Sequence, residues 1–377
     1  MTRVADDAGG RHVLVLNERD LQHPRAGGAE VHCFEVCRRL VARGDRVTLF
    51  ATRFAGAAAE EMVDGVRVIR FGNPLTYYAQ VPLAYARLRR REPLDVVIED
   101  LNKFPYFACL WVREPVVVFV HHLWGATAFR QVAAPIALAV LVAEWLVKRL
   151  YRRIPVIAVS PSTREELLAA GLRADDVHLV PNGVDHERYC PNGRPPASPP
   201  FVLSLGRVEP YKYVDRVVEA VAGLSGVRLV IAGRGTAIPA LERRVAELRL
   251  EDRVELRGFV SEDEKIGLLR EATVHAIASD KEGWGITVIE AAACGTPTVA
   301  TAVPGLRDAV RDGETGILVP SGDVAAMRAA IERVWRDEPL RRRLSSAGRE
   351  WAGRFTWDAA AGVIARIIDD AASRRVR

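Results

Sequence analysis

No stretch of this chain is apolar for long enough to span a bilayer. The longest such run, residues 132–143, breaks off at Glu144, well short of the roughly 20 residues that a spanning helix needs. The first ten residues are polar and end in glycine, without the apolar centre of a secretory leader, so no export is expected. Cysteine is sparse: Cys33, Cys37, Cys109, Cys190 and Cys294 are odd in number and contain no Cys-x-x-Cys pair. That excludes a disulfide framework and implies a reducing, cytoplasmic setting. Cys33 and Cys37 share a helix face and read as small core residues. Asp-x-Asp is absent, and no His, Cys and carboxylate cluster stands at ligand spacing, so no bound metal is expected. Charge of one sign is also lacking. The 53 basic and 48 acidic residues leave a net charge of only +5, and no basic stripe is interleaved with aromatics, so no nucleic-acid partner is expected.

What is present begins with size. At 377 residues and 49% hydrophobic content, the chain has material for two cores. Strand patterns at 13–16, 47–50, 66–71, 96–99, 116–120 and 156–159 alternate with helical patterns at 29–43, 78–91 and 132–150. Such βαβα alternation predicts a parallel sheet covered on both faces. Residues 191–200 hold five prolines in ten, which no helix or central strand tolerates, so they read as a linker. After it the alternation restarts: strands at 201–205, 228–232, 254–256, 274–278 and 298–300, and helices at 214–222, 237–248, 262–271 and from 286. The expected organisation is a first domain over 1–190, a linker over 191–200 and a second domain over 201–356. A helix from 357, within 357–377, is capped by Thr356 and returns toward the first domain. The fold class is α/β, two doubly wound Rossmann-like domains with a cleft between them, so loops after strands should carry the chemistry.

Four of those loops stand out. Gly27-Gly28-Ala29-Glu30 opens a helix after the first strand, where bare N–H groups welcome an anion; an ordinary glycine-rich turn explains it equally well. Gly206-Arg207, with Lys212 five residues on, puts two cations in a strand-to-helix loop, a fork and a point charge suited to phosphate. His121 and His122 end the strand at 116–120 and should point to opposite sides. Finally, Glu282-Gly-Trp-Gly-Ile-Thr-Val-Ile-Glu290 sets two carboxylates around a glycine-flanked helix start, which suits a phosphate-linked sugar. Gly233-Arg-Gly235 is half a dinucleotide fingerprint, with Ile238 at the third glycine position, which disfavours a dinucleotide oxidoreductase. The apolar run continues through Trp145 to Lys148, Arg149, Arg152 and Arg153. It reads as a buried helix whose basic end complements its dipole, or as an interfacial helix touching acidic lipid. The cluster Arg87, Arg89, Arg90 and Arg91 adds weight to the second reading.

In this order, with Ala293-Cys-Gly-Thr-Pro-Thr-Val-Ala300 just beyond, the blocks resemble the retaining glycosyltransferases of the GT-B fold, family 4 (glycosyl transferases group 1). The resemblance spans essentially the whole chain and is tightest in the second half. It implies transfer of a sugar from a nucleotide diphosphate, UDP above others, to a hydroxyl acceptor, either a lipid-linked glycan or a small natural product. No cofactor is implied, because the donor is itself a substrate. Arg207 and Lys212 would stabilise the departing diphosphate, and Gly27, Gly28 and Gly206 would let backbone approach it. Glu282 would hold donor-sugar hydroxyls beside the N–H groups of Gly283, Trp284, Gly285 and Ile286, and Glu290 would accept from the ribose. Gly258, Phe259 and Val260 would seat the base, and His121 would stand near the donor sugar. Tyr213 after the lysine, Trp284 between the glycines and Pro304-Gly305 after Thr301 depart from the usual pattern. A nucleotide-sugar epimerase and a non-catalytic nucleotide-sugar-binding subunit are the competing readings. The expected location is the cytoplasm, or the inner face of its membrane.

Overall fold

A computed structural model describes residues 10–373 apart from 102–103, 131 and 194–196. Residues 1–9 of the polar opening and three residues of the proline-rich stretch therefore lie outside the described residues. Contacts divide the chain into two units, one of Met1–Val159, Thr163–Val180 and Trp357–Arg377, the other of Ser160–Ser162 and Pro181–Thr356. The second unit thus begins at 181 and not after 191–200. Hydrogen bonding explains the difference: Val184 pairs with Thr356, Tyr189 donates to Glu262, and Arg270 Nε donates to the Cys190 carbonyl at 2.7 Å.

The first unit is built on strands β1 (His12–Leu16), β2 (Arg46–Thr52), β3 (Glu60–Val63), β4 (Val66–Phe71), β5 (Val96–Leu101), β6 (Val116–Val120), β7 (Val156–Ala158) and β8 (Val177–Leu179). They form one sheet in the order β3-β4-β2-β1-β5-β6-β7-β8. Every pairing is parallel except that of β3 with β4. Helices α1 (Gly28–Ala42), α2 (Tyr77–Arg91), α3 (Ala134–Leu150) and α4 (Pro161–Ala169) accompany it. Side chains alternate across a strand, and β1 shows the result. Val13 and Val15 pack with Phe34 and Leu40 of α1 on one face. Leu14 and Leu16 pack with Tyr77 and Val81 of α2 on the other. With both faces covered, β1 is apolar without a break, as central parallel strands are.

The second unit contains β9 (Phe201–Leu205), β10 (Arg228–Ala232), β11 (Val254–Gly258), β12 (Val274–Ile277), β13 (Thr298–Thr301) and β14 (Gly316–Val319). These are all parallel, in the order β11-β10-β9-β12-β13-β14. Its helices are α5 (Val214–Ala222), α6 (Ile238–Glu247), α7 (Glu262–Glu271), α8 (Ile286–Cys294), α9 (Leu306–Ala309), α10 (Val324–Arg336) and α11 (Glu338–Ala352). The strand order reverses between β9 and β12. In the first unit it reverses between β1 and β5. At such points loops part on opposite sides of the sheet and leave a crevice.

A last helix, α12 (Trp357–Ser373), belongs to the first unit. Ile364 and Ile368 are fully buried against the face that α1 covers. Arg39 of α1 reaches Asp358 at 2.7 Å. Glu144, the charge that ends the apolar run, is buried as well, and its Oε2 accepts from Gly125 N at 3.0 Å. It ties α3 to the loop after β6. Among the described residues, no helix is long and apolar enough to cross a membrane.

Candidate active site

Main chain ties together the loops that border the strand-order reversal of the second unit. Gly206 N donates to Ala232 O at 3.0 Å, Gly233 N to Gly258 O at 2.7 Å, and Val208 N to Arg234 O at 2.9 Å. The loops after β9, β10 and β11 are therefore bonded side by side. The half fingerprint Gly233-Arg-Gly235 serves this closeness. A Cβ on Gly233 would lie 1.8 Å from the Gly206 carbonyl oxygen, and one on Gly235 2.0 Å from that of Val208. Across the strand-order reversal, the loop after β12 joins them through Asp280 N to Tyr211 O at 3.0 Å. Gly305 packs under that loop, since its Cβ would meet the Glu282 carbonyl oxygen at 2.3 Å. That contact accounts for a glycine after Pro304.

On this frame Lys212 and Glu282 meet in an ion pair across the reversal. Glu282 Oε1 also accepts from Ser279 Oγ at 2.7 Å. An ammonium carries three donor hydrogens, so the pair leaves Lys212 able to donate further. Arg207 is exposed beside it, and its Nη2 donates to the Tyr211 hydroxyl at 2.9 Å. Tyr213 sits at φ +46° between Lys212 and α5, with the Arg216 guanidinium 3.5 Å from its ring centre. Two cations and a carboxylate therefore stand together at the crevice mouth.

Gly285 precedes α8 at φ +92°, a left-handed conformation that favours glycine. Gly283, Trp284, Gly285 and Ile286 thus lead into a helix N-terminus. The Trp284 indole turns away from it, 3% exposed and edge-on to Phe355 at 5.0 Å. Only the main chain of Trp284 is left to contact a ligand. Glu290, one turn further along, is buried, and Lys265 Nζ of α7 donates to its Oε1 at 3.0 Å. At the end of β11, Phe259 is 68% exposed, with the Arg234 guanidinium 5.1 Å from its ring centre. Val260 follows it, half-buried.

The first unit holds the remaining candidates. Gly27 caps α1 and spends its N–H on Glu30 Oε2 at 2.7 Å, so this helix start already carries a carboxylate of its own. Gly28 is the first helical residue. His121, at the end of β6, is 5% exposed, and its Nε2 lies 2.7 Å from Asp100 Oδ1 of β5. Burial pulls the imidazole pKa down, but Asp100 and then Glu30 more than offset this, and it rests above its ordinary value. His122 is half-buried and stacks on Trp124. No group of three His, Cys, Asp or Glu side chains among the described residues is placed to hold a metal ion.

Sequence reading missed Lys265, Arg234 and Asp100. Asp100 had a signal, being the end of a strand beside the one that delivers His121. Lys265 had none, because its partner Glu290 lies 25 residues on, in the next helix, and is reached only by packing α7 on α8.

Comparison with known proteins agrees with this geometry. A family model described as Glycosyl transferases group 1 matches residues 186–351, and one described as Glycosyltransferase Family 4 matches residues 26–188. A D-inositol 3-phosphate glycosyltransferase of Xylanimonas cellulosilytica is 31% identical over 394 residues, covering 93% of each chain. One from Mycolicibacterium smegmatis is 36% identical over 218 residues, covering 53% of this chain and 50% of its own. Among solved structures, a sucrose-phosphate synthase from Thermosynechococcus elongatus matches with TM-score 0.83 at 24% identity, over 96% of this chain and 98% of that one. Anabaena HepE in complex with UDP-glucose matches with TM-score 0.77 at 20% identity, over 95% and 99%. At those identities the two structures establish the fold. The chain belongs to glycosyltransferase family 4 and is a GT-B glycosyltransferase, moving a sugar from a nucleotide diphosphate to a hydroxyl acceptor with retention of configuration.

Proposed function

We propose that the donor is a UDP-sugar bound in the second-unit crevice, and that its diphosphate leaves without a metal ion. The observation that carries this reading is the convergence of Arg207 and Lys212 on the strand-order reversal, beside Glu282 and the N-terminus of α8. As the glycosidic bond breaks, negative charge grows on the diphosphate, and fixed cations lower the energy of that state more than of the ground state. Glu282 would accept from sugar hydroxyls, Glu290 from the ribose, and Phe259 would face the base. Anabaena HepE, bound to UDP-glucose, supports a uridine donor by analogy. The relatives named D-inositol 3-phosphate glycosyltransferase support a polyol acceptor that carries a phosphate.

The test is to offer UDP-, GDP- and ADP-sugars with polyol phosphates and to follow nucleotide release. Acceptor-dependent UDP release that survives a chelator supports the reading. Release that stops on chelation and returns with magnesium overturns the metal-free step.

A second reading concerns where the enzyme works, and α3 favours it. Leu138, Val142 and Trp145 are exposed at helical spacing, and the Arg149 guanidinium lies 4.6 Å from the Trp145 ring centre. Ala137, Val140, Ala143 and Val147 are buried on the opposite side. An apolar stripe ending in Arg149, Arg152 and Arg153 suits the surface of an anionic bilayer, and a lipid-borne acceptor would be met there.

A further inference from the structure

Glu290 is not alone in its part of the second unit. Lys265 Nζ lies 3.0 Å from Glu290 Oε1 and 3.0 Å from Glu262 Oε2. The same ammonium stands 5.0 Å from the ring centre of Tyr189, whose hydroxyl donates to the other oxygen of Glu262. Glu290 Oε2 is buried and has no hydrogen-bond partner among the described residues. A buried carboxylate oxygen left bare is costly, by about 1–3 kcal/mol. It persists where a neighbouring cation stabilises the charge, and where a ligand donor completes the set.

We propose that Lys265 is a positioning residue of the donor site, pinning one Glu290 oxygen so that the other is presented to the vicinal hydroxyls of the nucleotide ribose. This rests on the nucleotide reading of the crevice given above. Several features support it. Glu290 sits in the first turns of α8, whose N-terminus opens onto that crevice, and Lys265 projects from the neighbouring α7. Burial pulls the Lys265 pKa down, but Glu290 and then Glu262 more than offset this and leave it raised, so the ammonium keeps its proton. The ammonium therefore remains a donor to Glu290 Oε1, which leaves Oε2 to accept from a ribose hydroxyl. Tyr189 fills the space beside the ammonium, and burial together with Glu290 and Glu262 pushes its own pKa up, so the phenol remains a neutral donor. Lys265 itself has no need to touch the substrate.

The experiment is titration calorimetry with UDP, 2′-deoxy-UDP and 3′-deoxy-UDP on the wild type, Lys265→Met, Lys265→Arg and Glu290→Gln. Circular dichroism checks that each variant is folded, and Lys265→Gln is measured too in case Lys265→Met does not fold. The wild type is expected to prefer the ribonucleotide by roughly tenfold, the scale of a lost hydrogen bond to a charged group. Lys265→Met or Lys265→Gln should reduce that preference to within about threefold, and Lys265→Arg should restore it. A merely structural lysine would weaken all three ligands equally and leave the ratio intact, which would overturn the proposal. If Glu290→Gln also keeps the full ratio, then the placement of the ribose at Glu290 fails, and the role of Lys265 with it. If Glu290→Gln loses the ratio while the lysine variants keep it, only the role of Lys265 fails.

Discussion

Lys212 and Glu282 are joined across the point where the second sheet changes direction, one from the loop after β9 and the other from the loop after β12. A donor that places phosphate on the lysine and sugar hydroxyls on the carboxylate would bind both halves of this pair at once. Lys212→Ala should lower kcat by about 100- to 1,000-fold, the loss typical of removing one group that stabilises a developing anion. The acceptor KM should change little. Steady-state kinetics in which only the acceptor KM rises would remove Lys212 from the chemical step. Glu282→Gln should act chiefly through donor affinity, costing about 1.5–3 kcal/mol as a charge-assisted hydrogen bond is lost.

Phe259 is the most exposed aromatic of the crevice, and Arg234 lies against its ring. Base stacking on an aromatic face contributes about 1–3 kcal/mol. Phe259→Ala should therefore weaken UDP binding by roughly tenfold or more, read by calorimetry, while uridine-free pyrophosphate binds as before. Equal loss for both ligands would move the base elsewhere.

His121 keeps its proton to a pH above 6.5, the ordinary imidazole value, because Asp100 is 2.7 Å away. A raised folded pKa means that the folded state holds a proton which the unfolded chain gives up. The stabilisation is complete below pH 6.5 and is lost as pH climbs through the raised folded value. Asp100→Asn should move the His121 resonance to a lower titration midpoint in NMR, and should remove this share of the pH dependence of unfolding. His12, His23, His32 and His275 are shifted the opposite way. Only the difference between variant and wild type isolates His121. An unchanged midpoint would show that Asp100 does not hold the proton.

The exposed stripe on α3 should bring the protein down with vesicles containing anionic lipid, and raised salt should release it, because the attraction is screened. Trp145→Glu should abolish pelleting and leave the turnover of a water-soluble acceptor unchanged. Pelleting that persists in Trp145→Glu would sink the membrane reading. A dimer in ultracentrifugation that Trp145→Glu dissolves would assign the stripe to a second copy of this chain.

Much of this architecture can be read from residue patterns alone. The strands at Val116–Val120, Phe201–Leu205 and Arg228–Ala232 stand where their apolar runs put them, because central parallel strands are apolar on both faces. Edge elements are less legible. β3 (Glu60–Val63) is short, charged and half exposed, and its antiparallel pairing depends on β4. The buried faces of β14, α10 and α11 show only once they pack on β13 and α8. In the site, the cations and carboxylates announce themselves by type and spacing. The partners that orient them do not: Lys265 beside Glu290 and Asp100 beside His121 come from other elements. The glycines at 233, 235 and 305 are explained by neighbouring carbonyl groups that no linear motif shows.

Because α12 completes the first unit, that unit is finished only after the whole of 181–356 has been synthesised. At roughly 5–20 residues per second, the sheet face that Ile364 and Ile368 cover waits on the order of ten to thirty seconds at the ribosome. Through that interval an apolar surface is open to solvent and to neighbouring nascent chains. The second unit, contiguous but for three residues, has no such delay. Loss of the helix that begins at Trp357 would leave that face uncovered in the finished protein.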